Sequence, residues 1–179
     1  MRRKLTFLAY AALMAALSIL LGKFLAIGIG SDIRISFENL PLFIVSIFMG
    51  PVWGMATGVV ADLLGCLLKG YAIIPLLTVA QALMGLLPGL IIRLVFRNKK
   101  PLSIIVSVSV THLLLSIGMK TYVLHHVYGM AFLPLLGWRA LSYLPIIPLE
   151  IALCVLLSKN PAIQKIFHYS DHSDMGGIS

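Results

Sequence analysis

The stretch FENLPLFIVSIFMGPVWGMATGVVADLLGCLL, residues 37–68, decides how many times this chain crosses a membrane. As one helix its 32 residues would reach about 48 Å, against an apolar bilayer core of about 30 Å. Gly50-Pro51 interrupts it near the middle, where proline withholds a backbone donor and breaks the helical ladder. The break predicts two spans, Phe37–Gly50 and Pro51–Leu68. The first covers only about 21 Å, as expected of a tilted or partly interfacial helix.

Working outward, apolar runs place further spans at Leu5–Leu25, Ile74–Phe96, Leu102–Leu124 and Gly137–Leu157. Charge supports six spans over five. With six, Arg2, Arg3, Lys4, Arg93, Arg97, Lys99, Lys100, Lys159 and Lys165 fall on one side. Only Lys23, Arg34, Lys69, Lys120 and Arg139 fall on or near the other, which satisfies the positive-inside tendency. Five spans would set RNKK opposite MRRK. The expected fold is therefore an all-α integral membrane protein of six transmembrane helices with cytoplasmic N- and C-termini. Residues 1–167 form one membrane domain, and the polar, Gly/Ser-rich residues 168–179 a disordered tail. Although MRRK plus an apolar run resembles a signal sequence, the run is about twenty residues, longer than the 7–15 of a signal core.

Composition agrees. Of 179 residues 60% are hydrophobic and 11% charged, with mean hydropathy +1.02, against about 25% charged in soluble domains. The formal charge of +8 is explained by loop placement rather than by nucleic acid. No P-loop, HExxH or GxSxG is present, nor an arginine-rich voltage-sensing helix. Catalysis has no residue set to rest on, and no cofactor or metal site is expected. His125 and His126 are adjacent, a poor spacing for joint ligation on a helix. Cys66 and Cys154 fall toward opposite membrane faces and read as small core residues.

In SDIRISFENLP, residues 31–41, Asp32, Arg34 and Glu38 alternate with Ile33, Ile35 and Phe37 on the outer side, between spans one and two. The other outer connections are KGYAII and Lys120–Leu136. Polar variety thus gathers where a ligand from outside arrives. Asp62 lies in the outer half of span three, where a carboxylate costs about 2.5–3.5 kcal/mol unless it faces the bundle or a cavity. It either contacts a ligand or pairs with Arg34 or Lys120. Arg139 and Trp138 open span six, as an interfacial anchor pair or as a fork and a stacking surface lining a cavity. Lys120 either snorkels or joins them. His112 reads as a hydrogen-bonded core histidine and Glu150 as an internally bonded acid. In span one, Ala11, Ala15, Ser18, Gly22 and Ala26 share one small-residue face, and Ala9, Ala12 and Ala16 a second. Such faces permit close helix approach; one serves the protein's own bundle, and the second either packs inside it as well or meets a helix of another protein.

The run RISF…LP…GP…G…G…DLLG, the Ala-rich first helix with AALMAA, and GWR opening the last span resemble the substrate-binding S components of energy-coupling factor (ECF) vitamin transporters. The likeness is greatest to the folate-specific members. It covers nearly all the chain except the tail. It implies a bacterial plasma-membrane protein that captures folate or a related vitamin from outside. It also implies docking, through Ala11/Ala15 and Ala12/Ala16, on a transmembrane coupling (T) component driven by two ATPases. A pterin edge asks for a carboxylate such as Asp62; rings ask for Phe37, Tyr122, Tyr143 or Trp138; a glutamate tail asks for Arg34, Lys120 or Arg139. Remaining alternatives are an S component for another vitamin or pterin-like compound, and a secondary carrier titrating Asp62 and Glu150.

Overall fold

The computed structural model describes residues 2–24, 27–29, 33–96, 101–129 and 131–160. Helix α1 (Arg2–Ile19) runs on through the wider π-helical turns of Leu20–Phe24. Strands β1 (Ile27–Ile29) and β2 (Ile33–Ile35) then pair antiparallel, Ile27 opposite Ile35 and Gly28 opposite Arg34. This hairpin was not anticipated, although apolar residues two apart at Ile33 and Ile35 carry a strand period. Helices α2 (Leu40–Phe48), α3 (Pro51–Lys69) and α4 (Pro75–Ile91) follow, the last extended by π turns over Ile92–Phe96. Prolines 41, 51 and 75 sit in their first turns, where the missing donor costs nothing. Helix α5 (Pro101–Thr111) continues through a π-helical segment, His112–Met119, into α6 (Lys120–Tyr128). Helix α7 (Phe132–Lys159) closes the bundle.

Five of these stretches are long and apolar enough to cross a bilayer: Leu5–Gly22, Pro51–Lys69, Pro75–Phe96, Pro101–Val127 and Phe132–Lys159. The sixth apolar segment, α2, has nine residues, about 14 Å of helix. It is enclosed by protein, with Pro41 through Phe48 all buried. Its Leu42, Phe43, Ile47 and Phe48 join Met84 of α4 and Ile104 and Val108 of α5 in the main apolar core. A central helix walled by other helices need not match the bilayer thickness.

The long outer connection expected over Lys120–Leu136 is instead largely helical. Gly129, at φ 65°, ends α6 in the left-handed conformation, and Pro134 lies in the first turn of α7, leaving residues 129–131 as the link. Helices α3 and α4 pack with backbones nearly touching. A Cβ on Gly54 would overlap the carbonyl oxygen of Gly85, and one on Gly85 would overlap that of Gly54.

Ring contacts fix the orientation. Phe7 meets Trp53 at one end, centroids 6.1 Å apart, and Lys69 Nζ lies 4.3 Å over Phe24 at the other. Gly50 sits beneath the Arg93 guanidinium, so the α2–α3 turn and the end of α4 share the Phe7 side.

On α1 the two small-residue faces separate. Ala11, Ala15, Ser18 and Gly22 are buried, Ala15 packing with Ile19 and with Ala61 of α3, whereas Ala9, Ala12 and Ala16 are exposed. Ala11 and Ala15 are therefore spent on the protein's own bundle. Of the two AxxxA pairs only Ala12/Ala16 remains open to a partner. Cys66 and Cys154 are both buried, with no disulfide among the described residues. Asp32, Ala26, Arg97, Lys99, Lys100, Lys165 and the tail 168–179 lie outside the described residues.

Candidate functional site

A cavity of about 250 Å³ opens among α1, α3, α4, α6, α7 and the segment following β2. Apolar walls come from Ile19, Ala61, Leu77 and Leu124. Against them stand two acids, Glu38 and Asp62, and two bases, Lys120 and Arg139. Hydroxyls of Ser18, Ser36 and Ser142, the Gln81 amide and the Tyr143 ring complete the lining.

Each charge has a partner supplied by a neighbouring element. Asp62, midway along α3, accepts a hydrogen bond through Oδ2 from Thr78 Oγ1 of α4 at 2.7 Å. Lys120, at the start of α6, donates to Gln81 Oε1 at 2.7 Å and lies 3.5 Å from Glu38 Oε1. Glu38 is held in turn through its carbonyl, which accepts from Ser18 Oγ on α1 at 2.6 Å. Arg139 donates twice, from Nε at 3.2 Å and Nη2 at 2.8 Å, to the carbonyl oxygen of Ser116. Ser116 belongs to the π-helical segment, a kind of helical irregularity that recurs at functional positions. The Arg139 guanidinium also lies 5.7 Å from the centre of the Tyr143 ring. Two acids and two bases lining one cavity, of which Lys120 and Glu38 face each other as opposite charges, make a site suited to a polar aromatic ligand carrying both donors and anionic groups.

Of the residues expected from sequence, Asp62, Lys120, Arg139 and Tyr143 lie together in this cavity. Phe37, Tyr122 and Trp138 are not among its lining. Tyr122 faces outward, 53% exposed, with its ring 4.3 Å from that of His126, and Trp138 is 45% exposed. Both were chosen for aromatic character near the outer plane, but their helical azimuth turns them away. Arg34 is placed by backbone only, in β2, and its side chain lies outside the description. The alternative in which Asp62 pairs with Lys120 is not formed: Glu38 takes the lysine and Thr78 the aspartate.

Glu38, Gln81, Ser18, Ser36 and Ser142 were missed. Gln81 carried a usable signal as the lone amide in an apolar span, and Ser18 another as a polar member of the small-residue face of α1.

Behind the cavity two further intramembrane polar residues, His112 and Glu150, meet. His112 Nε2 lies 2.6 Å from Glu150 Oε2, and both side chains are fully buried. The core readings of His112 and Glu150 are thus each other's explanation, although 38 residues separate them.

A profile of the family described as "ECF transporter, substrate-specific component" matches residues 6–161. The uncharacterized protein MG313 homolog of Mycoplasma pneumoniae is 33% identical over 89 residues, half of this chain and 31% of that relative, so the match spans about a third of its length. Among solved structures, FolT bound with folic acid has a TM-score of 0.73 at 21% identity, covering 89% of this chain and 95% of that one. The S component for biotin from an ECF-type ABC transporter has a TM-score of 0.72 at 17% identity, covering 93% and 97%. ThiT from Listeria monocytogenes has 0.67 at 19%, covering 90% and 98%. At such identities these three likenesses speak for the fold.

Proposed function

The chain belongs to the substrate-specific components of ECF transporters, and from that premise we propose that it captures folate from the outer side of the membrane and releases it inward when docked on an ATP-driven coupling module. Family membership makes it a multi-pass plasma-membrane transport subunit rather than an enzyme. The observation that carries the folate reading is the mixed-charge cavity, with Asp62 of α3, Lys120 of α6, and Arg139 and the Tyr143 ring of α7 around one space.

In this reading Asp62 accepts bonds from the adjacent N–H donors of a pterin edge, exchanging them for its bond from Thr78. Lys120 and Arg139 receive the anionic tail or ring oxygens through charge-assisted bonds, and Tyr143 offers a face to a ring. Each group already has an internal partner, so ligand binding replaces bonds rather than filling bare ones. That favours a ligand able to satisfy every one of them. Arg34 joins this set only as a residue of the adjoining hairpin.

The partners proposed are a transmembrane T component and two ATPase subunits, met through the exposed Ala12/Ala16 face. Transport work then comes from ATP hydrolysed elsewhere. An S component for another vitamin is the second reading, favoured by TM-scores of 0.72 and 0.67 to biotin and thiamine relatives. Isothermal titration of the purified protein with folic acid, biotin and thiamine tests the choice. Stoichiometric binding of folic acid alone is expected. Binding of biotin or thiamine with silence toward folic acid would transfer the site to that vitamin.

A further inference from the structure

The His112–Glu150 contact sits outside the cavity lining, yet it is linked to two residues that form it, to Arg139 through Ser116 and to Tyr143 by ring packing. His112 Nδ1 lies 3.2 Å from Ser116 Oγ, and the carbonyl of the same Ser116 accepts both bonds from Arg139. The His112 ring also packs on Tyr143, centroids 5.4 Å apart, and meets Phe43 of α2 edge-on at 5.0 Å. Among the described residues, Glu150 Oε1 has no hydrogen-bond partner, so His112 carries that carboxyl group alone.

The bonding pattern also fixes where protons sit. An unmatched charge this deep in an apolar bundle is costly, so the pair is either imidazolium with carboxylate or imidazole with carboxylic acid. In both forms Nδ1 carries a hydrogen and donates to Ser116 Oγ. The serine hydroxyl is then free to donate onward, and it does so to Met84 Sδ at 3.7 Å. Hydrogen bonds thus link α7, through His112 and Ser116 of the π-helical segment, to Met84 of α4.

Resting on the reading of the cavity as the ligand site, we propose that His112 and Glu150 are positioning residues for it. Their mutual bond locks the imidazole, the imidazole locks Ser116 and the Tyr143 ring, and Ser116 aims Arg139 into the cavity. Neither residue touches the ligand.

The test follows the Arg139 Nε–H resonance in the ligand-free, full-length protein in detergent, assigned by its loss in Arg139→Lys. The wild-type signal is expected to be sharp and slow to exchange. It should broaden or exchange at least about tenfold faster in His112→Ala. Glu150→Gln should fall between, because an amide still accepts from Nε2–H but cannot share its proton, and His112→Asn should restore part of the signal through a replacement donor to Ser116. Val108→Ala, a fully buried core truncation, serves as the control for simple loosening. An Arg139 signal unchanged in folded Glu150→Gln and His112→Asn, or changed equally in Val108→Ala, overturns the proposal. Folic acid titration of the same variants should show about a tenfold weaker Kd in His112→Ala, a smaller weakening in Glu150→Gln and none in Val108→Ala. Wild type failing to bind folic acid would overturn the folate reading, while the Arg139 signal would still decide the role of the pair.

Discussion

At the scale of single residues, Asp62 is the most exacting probe of the site. Its Oδ2 takes one bond from Thr78, which leaves Oδ1 and the second lone pair of Oδ2 for a ligand edge. Asp62→Asn keeps the size but removes the charge and the ability to accept two parallel N–H donors. Bonds to a charged group contribute about 1.5–3 kcal/mol each, so folic acid should bind about 10- to 100-fold more weakly with little loss of thermal stability. Normal affinity with a lowered melting temperature would instead assign Asp62 to helix packing. Gln81 tests the lysine. Gln81→Leu strips Lys120 of its 2.7 Å acceptor while Glu38 remains at 3.5 Å. The lysine should then swing toward the acid, weakening anion capture several-fold in the same titration. Lys120 and Asp62 were legible from sequence because a charge inside an apolar run is costly and must serve something. Tyr122 and Trp138 were not legible as outward-facing, because aromatic rings are equally at home in a cavity wall and at a membrane surface.

At the scale of elements, the α3–α4 contact is a close one, since Gly54 and Gly85 leave no room for a side chain between backbones. It holds Asp62 on one helix against Thr78 and Gln81 on the other. Gly85→Leu should cost about 1–3 kcal/mol or more through overpacking. A clear drop in melting temperature in detergent should accompany weakened binding, because the two cavity walls separate. Unaltered stability would mean the helices have slack that the geometry does not show. Helix α1 reads well from its pattern: small residues every three or four positions predicted two faces, and one is buried, the other exposed. The enclosure of α2 was harder to see, since a nine-residue apolar helix surrounded by protein has the same composition as one lying in lipid.

At the scale of the molecule, the exposed Ala12/Ala16 face and the outer cavity lie on different sides of α1, so capture and docking should separate by mutation. Ala12→Trp or Ala16→Trp should leave folic acid binding within about twofold of wild type and abolish co-purification with the T component and ATPases. Ala15→Trp, at a position only 3% exposed, should destabilise the isolated protein instead. Assembly retained by both outward-facing variants would move the docking surface elsewhere. In proteoliposomes the lone protein should bind folic acid yet show no uptake under an imposed pH gradient, and transport should appear only with the ATPase module and ATP.

Apolar run length, the Gly50-Pro51 break and the bias of basic charge determined by themselves that this chain is a membrane bundle, and predicted its polar variety to lie on the outer side. These are properties of depth, and hydropathy along a chain encodes depth directly. The match of Lys120 to Glu38, of Asp62 to Thr78 and of His112 to Glu150 was decided only by tertiary structure. Those pairings depend on the rotation of each helix about its axis and on which helices are neighbours. That rotation is set by packing surfaces such as Gly54 on Gly85, which bring together residues far apart in the chain and leave no periodic trace along it.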